Sequence, residues 1–234
     1  MSVFTRIKSL IGEHGVVAIG TKLIGRHMDQ SFERAYGLDT VSVTYLDGLS
    51  IESRNRGRGN YYEGTRLMPL RRLIPQMRAL VAPDSALVDC GSGKGKVLLV
   101  AAECGVNQVR GIEFAKELCE IASSNWAKFD ARKQTGSKVE IHCSDVLDYP
   151  VQPNDSMFFL FNPFDTYILE ALLDRIAESV EMHPRKIVIA VAFLSEPYRK
   201  VFETKLCFEK HTTVVHWACK FTLYTVSNDC PQSF

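Results

Sequence analysis

From Ala86 onward the chain alternates short apolar runs with longer segments whose apolar residues recur at helical spacing. Ala86–Asp89, Val109–Glu113, Val139–Cys143, Met157–Phe161 and Ile187–Phe193 read as strands. Val97–Cys104, Ala115–Phe129 and Thr166–Val180 read as the helices between them. Nearly continuous apolar strands separated by helices predict a mostly parallel α/β sheet covered on both faces. After a short helical stretch at Tyr198–Phe202, two β-rich segments, His211–Trp217 and Lys220–Val226, are joined by a very short link. Such a link forces an antiparallel hairpin, because a parallel pair needs a long crossover.

Upstream the pattern is less regular. Leu67, Leu70, Leu73, Ile74, Met77 and Leu80 share one side of a predicted helix from Thr65 to Leu80, with Pro75 expected to bend it. Between Met28 and Asn60, turn signals at Tyr36-Gly37, Asp47-Gly48 and Arg54–Asn60 predict a loop-rich cap. Val3, Phe4, Ile7, Leu10 and Ile11 recur as one face of an amphipathic helix that would pack on the domain. Arg6, Lys8, Glu13 and His14 interrupt the apolar stretches before a signal peptide or a spanning helix forms, so no membrane insertion is expected. The expected organisation is a helical and loop-rich cap over residues 1–64 and a ligand-binding domain over residues 65–234.

Composition narrows the classes. With 28 basic and 27 acidic residues, a net charge of +1, no global field favours nucleic acid or an anionic membrane. Seven dispersed cysteines without a C-x-x-C pair argue against a disulfide framework and structural zinc, and fit reduced thiols in a cytoplasmic protein. No metal site is expected from His211, His216 and Cys219, since period-two alternation puts the two histidines on opposite faces. Arg54, Arg56 and Arg58 read as solvated loop charge, and Trp126 and Trp217 as core.

The run Asp89-Cys90-Gly91-Ser92-Gly93-Lys94-Gly95 is a strand end, a glycine turn and a helix start. Glycines there let the backbone turn sharply and let a ligand approach closely. Asp89 would repel a pyrophosphate but suits a cationic amino-acid ligand, and Gly95 breaks the dinucleotide G-x-G-x-x-G spacing. That spacing weighs against a nicotinamide-dependent oxidoreductase, which shares the same fold logic. The P-loop pattern is absent, so Lys94 and Lys96 read as surface or packing side chains. Glu113 ends the second strand, where an acid can accept both ribose hydroxyls of a nucleoside. Asp145, followed by Val146, ends the third, where it can accept from an adenine amino group or cap a helix. Three carboxylates at three successive strand ends outline an adenosyl amino acid across the sheet edge.

This order and spacing, over roughly Thr65 to Val226, resembles the class I S-adenosylmethionine (SAM) dependent methyltransferases. The resemblance implies a Rossmann-like seven-stranded sheet with a reversed last strand and helices on both faces. It also implies SAM as cofactor, S-adenosylhomocysteine (SAH) as product, and a donor site at Asp89, Gly91, Ser92, Gly93, Gly95, Glu113, Asp145, Val146, Asn162 and Thr65.

On the acceptor side, Phe161-Asn162-Pro163-Phe164-Asp165 resembles the Asn/Asp-Pro-Pro-Tyr/Phe motif of amino-nitrogen methyltransferases, with one proline instead of two. That resemblance implies that Asn162 and the Pro163 carbonyl receive a target amine against the Phe164 ring. Tyr61-Tyr62-Glu63-Gly64-Thr65 is similar to the Tyr-Gly-Glu-Thr loop of the non-SET histone-lysine methyltransferases, with Glu and Gly transposed. It implies Tyr62 and Thr65 over the methionine end of SAM. Tyr36–Thr40, Asn60-Tyr61-Tyr62, the glycine turn and Asn162–Asp165 together also look like a bacterial methyltransferase group of unassigned substrate. The expected acceptor is a nitrogen of a small molecule or a protein side chain. An RNA methyltransferase and an inactive SAM-binding scaffold are the alternatives. Glu63, Asp165, Tyr61 and His183 are the candidates for taking the amine's proton.

Overall fold

The computed structural model describes residues 20–21, 23–205 and 208–226, so the expected helix at Val3–Ile11 lies outside the described residues. Among these, seven strands form one sheet: β1 (Ala86–Cys90), β2 (Gln108–Glu113), β3 (Lys138–Cys143), β4 (Asp155–Leu160), β5 (Ile187–Ala192), β6 (Phe208–His216) and β7 (Cys219–Val226). Their order is β3-β2-β1-β4-β5-β7-β6. β1 to β5 are parallel, and β7 runs antiparallel to both β5 and β6. The predicted hairpin is present and supplies the reversed strand.

Helices cover both faces: α1 (residues 23–36), α2 (Leu67–Arg78), α3 (Lys96–Glu103), α4 (Lys116–Lys133), α5 (Thr166–Met182) and α6 (Glu196–Thr204). The period-two geometry of the strands divides the core. Met157 and Phe159 of β4 and Val188 and Ala190 of β5 pack with α2 and α3 on one face. Phe158 and Leu160, with Ile187, Ile189 and Val191, pack with α5 and α6 on the other. Both sides of each strand are buried, which is why the sequence reads as continuous apolar runs.

The loop-rich stretch predicted from Met28 opens instead as helix, because α1 continues to residue 36. Its inward stripe is Gly25, Asp29, Phe32 and Tyr36, only partly apolar, so the hydrophobic pattern did not reveal it. Phe32 and Tyr36 form an aromatic cluster with Phe129 of α4, at centroid distances of 5.7 and 4.8 Å.

At the amino edge of the sheet, fully buried Asp155 accepts from the Arg110 guanidinium, from the Tyr149 hydroxyl at 2.7 Å and from the Gln152 amide at 2.7 Å. Removing one partner of such a group strands the others. Asp155→Ala is therefore expected to lower stability by about 3–5 kcal/mol, read by denaturant unfolding, while the folded fraction keeps its donor affinity. The functional edge is the opposite one.

Candidate active site

β1 lies between β2 and β4, so the chain leaves it in opposite directions on its two sides and a crevice opens at the strands' carboxyl ends. A cleft with about 870 Å³ of empty space, open mouth included, lies there, within the roughly 300–1,000 Å³ of small-molecule sites. Asp89, Gly91, Ser92, Glu113, Asp145, Val146, Tyr62, Thr65, Pro163 and Phe164 all line it. Gly93 and Gly95 continue the turn beneath it, Gly95 as the N-cap of α3.

The turn is built on close approach. Gly91 has φ +82°, and a Cβ there would meet the Pro163 Cβ at 2.4 Å. Gly93 has φ +50°, and its Cβ would fall 2.0 Å from the Tyr62 ring. The glycines thus let the post-β4 loop and the cap settle directly on the turn.

The three acids are in three different states. Asp89 is 3% exposed and accepts no hydrogen bond from the described residues. Burial, and then the nearby Glu113 charge, hold its carboxyl well above the usual aspartate range. A buried carboxylate without a protein partner is costly unless a cationic ligand completes it. Glu113 accepts from the amides of Gly93 and Ala115, each at 2.9 Å. Burial raises its pKa against those amides, which pull it down. Asp145 accepts from the Leu147 amide and Asn55 Nδ2, each at 2.9 Å, and from the Ser53 hydroxyl. A turn rather than a helix follows it, so Asp145 fastens a cap loop over that end of the cleft.

The cap reaches the post-β4 loop as well. Gly59 bridges to Phe164, and the Asn60 amide donates to the Pro163 carbonyl at 3.0 Å. Asn60 Nδ2 donates to the Asn162 carbonyl at 2.8 Å. Asn162 itself is exposed, with φ +46°, and is not among the residues lining the cleft. Phe164 packs into the α5 layer, its carbonyl accepting from the Tyr198 hydroxyl at 2.5 Å. Tyr62 pairs its backbone with Thr44 and donates its hydroxyl to the Thr40 carbonyl at 2.8 Å. Burial first, and then Asp89, push its hydroxyl pKa well up. Asp165 caps α5 through the Ile168 amide and pairs with Arg58 at 2.6 Å. His183 follows the far end of α5, at the opposite sheet edge, so it is removed from the proton-accepting candidates.

Lys94 and Lys96 are not on the surface. Both are about as buried as Asp89 and pair with cap residues, Lys94 with Asp39 at 3.0 Å and Lys96 with Asp29 at 2.9 Å. Trp217 is not a core residue either. With φ +52° in the hairpin turn, it lines a second cavity with Phe161, Phe193 and Glu63. Nothing in the spacing of single residues announced these roles, because each depends on a partner more than 50 positions away.

Residues 62–142 match the family model of the histone methylation protein DOT1. That segment, less than half of the chain, carries Tyr62, the glycine turn and Glu113, and it sits in a sheet of the order and reversed last strand described above. The chain is thus similar, over this segment, to a methyltransferase family, and its sheet has the Rossmann-like order with a reversed last strand. Solved structures similar to it include a candidate methyltransferase, yhhF, of Escherichia coli, at 18% identity and TM-score 0.48, covering 80% of this chain and 99% of that one. An RNA methyltransferase from Salinibacter ruber in complex with SAH gives 16% and 0.48, covering 69% and 95%. A SAM-dependent O-methyltransferase from Thermotoga maritima gives 18% and 0.49, covering 67% and 64%. No curated protein shows significant similarity to the chain.

The residues of the cleft fit SAM chemically. Asp89 offers an uncompensated carboxylate for the amino acid's ammonium, and Glu113 keeps lone pairs for ribose hydroxyls. No helix among the described residues is long and apolar enough to cross a membrane.

Proposed function

We propose that the chain methylates a nitrogen acceptor carried by a small molecule or a protein side chain. The observation that carries this reading is the meeting of two cavities: Glu63, Gly64, Thr65 and Phe161 line both the donor cleft and the second cavity. Beyond that junction stand the rings of Phe161 and Phe193, 5.8 Å apart, and Trp217. Aromatic faces beside the Glu63 carboxylate suit an amine, and Arg66, which lines the same cavity, balances the Glu63 charge.

SAM supplies an electrophilic methyl on a sulfonium. The chain's residues have only to align and deprotonate the amine, and positioning alone is worth much of the barrier. The nitrogen lone pair forms the new bond to the methyl carbon as the carbon–sulfur bond breaks. The proton leaves beforehand, to Glu63 at the junction or to water. The main-chain carbonyls of Asn162 and Pro163, the residues to which the motif assigns the acceptor, both accept from Asn60.

Incubation of cell extract with methyl-labelled SAM tests this. Wild type is expected to label an amine, and Glu63→Gln to slow labelling about 10²- to 10⁴-fold, the range for a lost general base. Asn162→Ala separates the motif's contribution from that of Glu63. Label on RNA would replace the amine reading, and SAM binding without any labelled acceptor would favour a scaffold.

A further inference from the structure

We propose that Cys119 and Cys143 form a thiol pair that a hydroperoxide oxidises to a disulfide, and that this bond weakens donor binding in the adjoining cleft. The inference rests on the assignment of SAM to this cleft and adds a modification site on residues next to those that line it.

The fold brings the two thiols together from the start of α4 and the end of β3. Cys119 donates its thiol to the Glu113 main-chain carbonyl at 3.3 Å. Glu113 pairs in register with Cys143, and the same carbonyl accepts from the Ser144 amide at 2.9 Å. Strand alternation puts Cys143 on the face of Val139 and Ile141, which pack on the cluster that holds Phe129 of α4. Cys143 therefore stands on the α4 side of its strand, and the two thiols meet in a hydrogen bond. Their surroundings differ: Cys143 is exposed, whereas Cys119 is buried. Burial, and then the hydrogen bond with Cys143, hold the Cys119 thiol well above its usual range.

An exposed thiol touching a buried one suits an attacking and a resolving cysteine. The Cys143 thiolate attacks the hydroperoxide, the O–O bond breaks, and Cys143 becomes a sulfenic acid while the thiol proton leaves with the alkoxide as an alcohol. The Cys119 sulfur then displaces hydroxide from the Cys143 sulfur, and its own proton leaves with that hydroxide as water. Two thiols lose two electrons in all, and the hydroperoxide gains them.

The cleft is coupled to this bond because its lining residues flank both cysteines. Leu118 precedes Cys119, and Ser144 and Asp145 follow Cys143. A disulfide, at about 2.05 Å between sulfurs, is shorter than any thiol hydrogen bond, so it draws the start of α4 toward the end of β3. It also takes the Cys119 donor from the Glu113 carbonyl, on the residue whose carboxylate faces the donor.

The full chain treated with hydrogen peroxide tests this, with peptide mapping by mass spectrometry reading the bond and calorimetry reading SAH affinity. Wild type is expected to gain the Cys119–Cys143 disulfide and to lose SAH affinity by about 5- to 150-fold, the span of coupling between linked sites. Dithiothreitol should restore both. Cys143→Ser changes an exposed side chain and should keep its SAH affinity through the same treatment. Cys119→Ser should stop at the Cys143 sulfenic acid, trapped by a cyclic 1,3-dione, and Cys119→Ala carries the same comparison if the serine variant does not fold. Oxidised wild type without this disulfide, or with it and with unchanged SAH affinity, would overturn the proposal. Failure of reduced wild type to bind SAH would remove the donor reading, and the regulatory half of the proposal with it.

Discussion

Replacing Asp89 by Asn should abolish measurable SAH binding while making the ligand-free protein more stable. Both effects come from one observation, a buried carboxylate that no described residue hydrogen-bonds. In the free protein that charge is a penalty, relieved by an isosteric neutral amide. In the complex it is the counter-charge of an ammonium, and losing it leaves a buried cation unpaired, a loss of about 3–5 kcal/mol or more than a hundredfold in affinity. The pH dependence has a definite sign. Burial and Glu113 raise the Asp89 pKa in the folded state, so between the ordinary aspartate range and the raised value the folded protein binds more protons than the unfolded chain. Stability of the free protein then falls as pH rises through that window. SAH affinity rises over the same window, because the ammonium requires the ionised carboxylate. Thermal unfolding with and without SAH across pH checks both trends. A wild-type and an Asp89→Asn protein with the same SAH-induced shift would refute the assignment.

A single methyl at Gly93 should have the next largest effect. Its φ of +50° disfavours a side chain, and the new carbon would sit 2.0 Å from the Tyr62 ring. That ring cannot swing aside freely. Its hydroxyl is bonded to Thr40, its backbone is paired with Thr44, and Lys94 lies 5.6 Å from its face. Gly93→Ala is expected to cost roughly 2–4 kcal/mol from backbone strain and overpacking together. The sheet should persist, so far-ultraviolet circular dichroism stays near wild type while SAH affinity falls more than tenfold. Adding Tyr62→Ala removes the clash but not the strain, and should recover part of the stability. An unchanged affinity in Gly93→Ala would show that the contact between cap and turn does not shape the donor site.

The sheet was legible because of burial on both sides: five apolar runs were strands, and the very short link between the last two segments forced the reversed strand. That Asp89, Glu113 and Asp145 meet in one cleft was legible because they stand at strand ends, positions that the alternation itself marks out. α1 was not, since Gly25 and Asp29 occupy its inward stripe where apolar residues would have signalled a helix. The grip of Ser53 and Asn55 on Asp145 was not legible either, because it joins residues about 90 positions apart. For the same reason a lysine in a glycine turn gives no hint of its burial until the acid that pairs with it is known. The second cavity gathers Thr21, Glu63, Phe161, Phe193 and Trp217 from five separate segments, a juxtaposition that only the folded chain creates.

The two lysines of the glycine turn have their counter-charges, Asp39 and Asp29, in the first forty residues. The donor cleft is therefore complete only after the amino-terminal third of the chain has docked, although every glycine of the turn belongs to the later part. A chain severed between residues 64 and 65 would leave the two ammonium groups without these anions. Docking of the cap and capture of the donor are thus linked equilibria, and linkage is reciprocal. A partner that pulled the cap away would loosen the donor, and a bound donor would resist that partner by the same free energy.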